Sequence, residues 1–170
     1  MNKTSRNRIT KDTIPEGFSV TLALTDLIPV IFFGLSAVMV GSLFHSGIFV
    51  FGALICLVSG VVKVIWKLIA AVSKKNIWWI FVQMRILMPF GFLVLIAALI
   101  HDRANLSGAA VISGLLGFPA CVFFAAGALV MVMMCVFALR MDSSDPKSNA
   151  IEQVTNSVAQ ICFFVGLMLV

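Results

Sequence analysis

The chain reads as an all-α integral membrane protein, a bundle of five transmembrane helices forming one domain, and three observations carry that reading. It is 61% hydrophobic and only 11% charged over 170 residues, with a mean hydropathy of +1.12. Soluble domains hold about 45–50% apolar and about 25% charged residues, so too little polar surface remains here to coat a water-facing globule. The apolar residues fall into segments of bilayer length separated by short polar connectors, and the basic residues gather on one side of those segments.

A spanning helix needs about 20 predominantly apolar residues to cross a hydrocarbon core of about 30 Å. Segments 17–44, 47–72, 77–100 and 108–139 meet that requirement. The first follows a basic arm, 1–16, that carries Lys3, Arg6, Arg8 and Lys11. Its apolar run exceeds the core of about 7–15 residues found in a secretory signal and has no small-residue cleavage site, so it reads as a retained helix. Segment 149–170 is the fifth span. Its second half is continuously apolar, while its first half holds Glu152, Gln153, Asn156 and Gln160. The alternative for this segment is an amphipathic C-terminal helix lying in the interface beside four spans. Asp145 suits an N-cap and Pro146 a first helical position, which predicts a helix start near residue 146.

Orientation follows from the basic residues. Nine Lys and Arg flank the spans on the side of the N-terminal arm, counting Lys67, Lys74, Lys75, Arg140 and Lys147, against Arg103 alone on the other. The N-terminus is therefore expected in the cytoplasm, with the protein in a plasma or inner membrane. Trp66, Trp78 and Trp79 flank Lys74 and Lys75, and indoles favour the headgroup level. Positive-inside topology absorbs most of the net charge of +5, so nucleic acid is not expected as a partner.

Helix association in lipid relies on close backbone approach rather than on apolar burial. Ser113, Gly117, Cys121 and Ala125 form one four-residue ridge, and Gly52, Cys56 and Gly60 a second; both read as internal packing. Pro29, Pro89 and Pro119 lie inside spans and are expected to kink them, with an interior cavity as one outcome and ordinary bends as the other. The four cysteines, Cys56, Cys121, Cys135 and Cys162, sit in apolar segments without metal spacing and read as small hydrophobes.

Ionisable residues at membrane depth need a reason, because a charge at the bilayer centre costs at least about 2.5–3.5 kcal/mol. Asp26 and Arg85 both fall roughly 12–14 Å in from the cytoplasmic face at about 1.5 Å per residue. Arginine cannot deprotonate, so the expected pair is Asp26–Arg85, with Lys63 as competitor for the aspartate. Asn149, Gln153, Asn156 and Gln160 recur at the spacing of one helical face with Glu152 at its edge. The candidate substrate- or ion-binding residues are accordingly Asp26, Arg85, Lys63, Glu152, Asn156 and Gln160. A purely structural reading, in which ion pairs and amides join helices, stands beside the functional one.

No metalloprotease, phosphate-loop, dinucleotide or nucleophile-elbow motif occurs, which points away from an enzyme. The two histidines, His45 and His101, fall in connectors on the side opposite the arm, and His101-Asp102-Arg103 reads as a solvated turn. The expected function is a small transport or channel component with a polar site in the cytoplasmic leaflet, assembled as a homo-oligomer or with a partner membrane protein. Its rival is a non-catalytic scaffold, sensor or assembly subunit. Neither cargo nor cofactor is readable from the sequence.

Overall fold

The computed structural model describes residues 19–105, 113–141 and 145–170, and these are helical throughout apart from short turns. The basic arm 1–16 and the start of the fourth expected span lie outside the described residues. Five long helices follow in order: α1 (Val20–Phe44), α2 (Gly47–Ser73), α3 (Trp78–His101), α4 (Ala120–Arg140) and α5 (Pro146–Met168), with one 3₁₀ turn, Arg103–Asn105, after α3.

Side-chain caps set most of the boundaries. The Ser19 hydroxyl accepts from Leu22 N at 3.1 Å to open α1, and Ser46 accepts from Phe49 N at 3.1 Å to open α2. His45 and Lys74 adopt the left-handed conformation, φ 50° and 52°, and turn the chain at the ends of α1 and α2. Asp145 caps α5 through Ser148 N at 3.0 Å with Pro146 in the first turn, as the sequence predicts. Three helix starts are thus written in serine and aspartate oxygens that satisfy otherwise unpaired N–H groups.

α1 and α3 run continuously through Pro29 and Pro89. The fourth segment does not: residues 113–116 form a separate helical turn, 117–119 turn the chain, and α4 starts at Ala120. An unbroken 108–139 span is therefore corrected. Pro119 lacks the N–H that the helix needs and disfavours helical geometry in the residue before it, and a Cβ at Gly117 would lie 3.0 Å from the Ser113 carbonyl oxygen.

Four of the helices, α1 to α4, are long and apolar enough to cross a membrane. Their outward faces are apolar as well, with Val38, Leu93 and Leu129 exposed by 72%, 64% and 64%. The helices pack in the lateral order α3, α2, α1, α5, α4. α5 runs parallel to α1, since Asn149 lies near the α1 start while Phe164 meets Phe32 further along at 5.4 Å. It ends with Val170 beside Gly114.

Two clusters fill the α1–α2–α3 interior. Toward the α1 C-terminal end, Phe49, Ala53, Cys56, Leu95 and Ala98 pack together with Phe33 and Met88 against them. Toward the α1 N-terminal end, Leu22, Trp66 and Phe81 pack with Trp78 and Ala150. Glycine permits the close crossings. A Cβ at Gly91 would lie 2.5 Å from Cys56 Sγ and 3.1 Å from Cys56 N, so the Gly52–Cys56 ridge of α2 is in place against α3. The other expected ridge is corrected: Ser113 and Ala125 are exposed, and α4 meets α5 instead through Gly127 against Phe163 and Gly166 against Phe124.

Candidate functional site

The charged residues at membrane depth converge between α1, α2 and α5. Asp26 is the seventh residue of α1 and Lys67 the seventh from the end of α2. Since the two helices are antiparallel neighbours, these positions fall at one level, about 9 Å in from the helix ends at about 1.5 Å per residue. Lys63 and Lys67 are one turn apart on the face of α2 that meets α1.

Asp26 is only 2% exposed and has both oxygens engaged. Lys63 Nζ lies 3.2 Å from Oδ1 and Lys67 Nζ 2.8 Å from Oδ2. Lys67, 3% exposed, also donates to Asn149 Oδ1 at 3.0 Å, and Gln153 Nε2 donates to that same oxygen at 2.6 Å. Three helices are therefore joined by one chain of ion pairs and hydrogen bonds. Glu152, on the first turns of α5, interacts electrostatically with both lysines. With two ammonium groups and two carboxylates the cluster is neutral as a whole, the condition under which charges persist in a low-dielectric interior.

The expected Asp26–Arg85 pair does not form. Depth is matched, but α2 stands between α1 and α3 and offers its own two cations first. Arg85 is exposed and its guanidinium rests 4.6 Å from the centroid of the Phe81 ring. Lys63, the named competitor, does hold Asp26. Asn156 and Gln160 stay half-buried further along α5, and no hydrogen bond joins them to Asp26, Lys63 or Lys67 among the described residues. The inward stripe of α5 runs instead through Asn149, Gln153 and Ser157, at 8%, 4% and 7% exposure.

Sequence reading thus missed Lys67, which it assigned to the interfacial tally, and it undervalued Asn149 and Gln153. The signal available was the four-residue spacing of Lys63 and Lys67 on a helix too apolar to leave them idle. Trp66 likewise is no interfacial belt residue: it is 2% exposed, packs against Phe81 at 4.9 Å and donates to Asn76 Oδ1 at 3.1 Å.

Not every polar atom here is satisfied. Asp26 Oδ2, Glu152 Oε1, Gln153 Oε1 and Ser59 Oγ are buried without a hydrogen-bond partner among the described residues, the first of them held by its ion pair with Lys67. An orphaned buried acceptor costs about 1–3 kcal/mol, so these groups are the part of the cluster that its own packing does not explain. No group of three or more His, Cys, Asp or Glu with metal-binding geometry occurs among the described residues.

At the opposite end of the bundle, the Ser46 hydroxyl donates to the Asp102 carboxylate and His101 Nδ1 lies 2.7 Å from Asp102 Oδ1. The bond from Ser46, then that from His101, holds the Asp102 carboxyl below the usual carboxylate range. Because the aspartate bridges serine and histidine, the histidine has no bond to the hydroxyl and cannot activate it; the trio ties the α1–α2 turn to the end of α3. A cavity of about 230 Å³ lies between α1 and α2 in this same half, lined by Gly34, Ala37, Gly41, Ala53 and Leu57 among others. It is apolar and sits away from the charge cluster and from the prolines.

No family model, no curated protein and no solved structure matches this chain.

Proposed function

We propose that the chain is a five-span protein of a plasma or inner membrane, with a cytoplasmic N-terminus, acting as a small transport or channel component. Its binding site is the Asp26–Lys63–Lys67–Glu152 cluster with Asn149 and Gln153 as polar walls. The observation that carries this reading is a set of buried acceptors without a hydrogen-bond partner, Glu152 Oε1, Gln153 Oε1 and Asp26 Oδ2, the last held only by its ion pair with Lys67. A cluster serving only to join helices would have its acceptors filled; empty ones suit a solute or water that donates hydrogen bonds.

Support for the fifth span is the course of α5, which lies along α1 and carries Val170 to Gly114, on the far side of α4 from Arg140. The described helices pack mainly side by side, and a pathway between them would be completed by a second copy or a partner membrane protein. A scaffold or assembly role is the second reading, and the double engagement of Asp26 favours it.

Thermal melting of purified wild type and Glu152→Gln, with a panel of ammonium, amino-acid and amide solutes, tests the choice. A solute that raises the melting temperature of wild type but not of the variant supports the binding site. Equal melting of both proteins with every solute assigns the cluster to helix joining and the protein to the scaffold class.

A further inference from the structure

We infer that α3 carries, around Arg85, a docking site for the phosphate headgroup of an anionic phospholipid in the leaflet that surrounds the α3 N-terminus. The inference shares with the proposed function only the premise that α3 crosses a bilayer.

Arg85 is the eighth residue of α3 and is exposed. Of the acids at membrane depth, Asp26 is ion-paired with the two lysines of α2, and Glu152 faces the same lysines electrostatically. No carboxylate among the described residues pairs with the guanidinium, whose one contact is the face of Phe81 at 4.6 Å. A guanidinium stays protonated in any protein environment, and a fixed charge at membrane depth is expensive unless it meets an opposite one. The described residues therefore supply no counter-charge, which leaves the guanidinium open to an anionic ligand.

Three features select a lipid phosphate as its source. Helical side chains lean toward the N-terminus of their helix, so Arg85 reaches back over Phe81, one turn nearer the α3 start. That brings the guanidinium to within about 5 Å of the helix end, where headgroups begin. The ring beneath it is clamped by Trp66 and Trp78 at 4.9 and 5.4 Å, so the cation is held in place before a ligand arrives. Lys74 and Lys75, both exposed, lie in the connector that leads into α3, and Trp79 is 82% exposed at its first turn. Clustered basic residues beside an indole are the pattern that anionic headgroups recognise, and the guanidinium fork matches two phosphate oxygens at once. α3 also ends the lateral row, packing chiefly on α2, and the exposed Arg85 faces away from that contact.

Full-length protein in phosphatidylcholine vesicles doped with brominated phosphatidylglycerol tests the site, because Trp78 and Trp79 report bromine nearby. Brominated phosphatidylglycerol should quench wild-type fluorescence at a mole fraction at least about fivefold lower than brominated phosphatidylcholine, fivefold being the share of one basic residue at about 1 kcal/mol near a headgroup. Arg85→Gln should lower that ratio to the remainder that Lys74 and Lys75 sustain, Arg85→Lys should retain more of it, and a ratio unchanged by Arg85→Gln overturns the proposal. The wild-type comparison needs no variant to fold, and equal quenching by the two lipids overturns the proposal. So does an Arg85-dependent dimer, seen by cross-linking in pure phosphatidylcholine vesicles, since a second copy would then supply the counter-charge.

Discussion

Lys67 Nζ sits 2.8 Å from Asp26 Oδ2, with both residues almost wholly buried. The contact joins α1 to α2 and, through Asn149, to α5. Two charges inside a membrane protein are tolerable together and costly apart. Removing one partner of a buried pair leaves the other uncompensated and destabilises by about 3–5 kcal/mol.

Asp26→Asn should therefore lower thermal stability by that amount, since it leaves two ammonium groups facing a neutral amide. Adding Lys67→Met to Asp26→Asn should recover part of the loss, giving a clearly non-additive double-mutant cycle. Strict additivity in detergent melting would mean that the two side chains do not interact.

Arg85→Leu offers the contrast. Its contact within the chain is a cation–π interaction, for which about 0.5–1 kcal/mol is typical at an exposed site. Melting in neutral detergent should thus stay close to wild type, far from the Asp26→Asn value. A loss as large as that of Asp26→Asn would restore a pairing role for Arg85.

Gly91→Ala probes the α2–α3 crossing. The added methyl would meet Cys56 Sγ at 2.5 Å and backbone at 3.1 and 3.2 Å, so the helices must separate. Overpacking of this kind costs about 1–3 kcal/mol. Gly47→Ala, where nothing lies within 4 Å, is the control and should leave melting unchanged.

The Ser46–Asp102–His101 tie makes a pH prediction. Its carboxyl lies below the usual range in the folded protein, whereas an unfolded aspartate titrates at about 3.9. The folded state therefore binds the proton less tightly. The stabilisation is complete above about pH 4 and is lost as pH falls through the lowered native value. Ser46→Ala removes the largest cause of the shift, so it should reduce melting at neutral pH and flatten the decline on the acid side. An acid-side decline identical in wild type and variant would show that the tie contributes nothing.

What the sequence made legible follows the kind of signal each feature leaves. Helix starts announce themselves locally, which is why Asp145-Pro146 located α5 correctly. Depth is also legible, because rise per residue converts position into level, and it puts Asp26 well inside its helix, where the structure has it buried. Azimuth and lateral order are not. Residues at one depth on three helices have no sequence signal telling which two are neighbours, so Arg85 was matched to an aspartate that α2 shields from it. Lys67 was lost for a related reason: at a helix end, a snorkelling lysine and a buried one look alike. The Asn156–Gln160 half of the polar stripe failed because two phases of a helical face, 149-153-156-160 and 149-153-157, share their first members. Only the packing of α5 between α1 and α4 selects the second.

The lateral order α3, α2, α1, α5, α4 also bears on how the protein is made. A ribosome delivers α1, α2 and α3 first, and these three can close on one another, with Asp26 already neutralised by Lys63 and Lys67. α4 emerges next, yet among the described residues it packs chiefly on α5, the last to be synthesised. Assembly therefore concludes with a two-helix hairpin docking sideways against finished work, guided by Asn149 meeting Lys67 at one end and Phe164 meeting Phe32 further in. The biosynthetic consequence is modular: residues through α3 and residues from α4 onward, produced as two separate polypeptides in one cell, should find each other within the membrane and rebuild the whole.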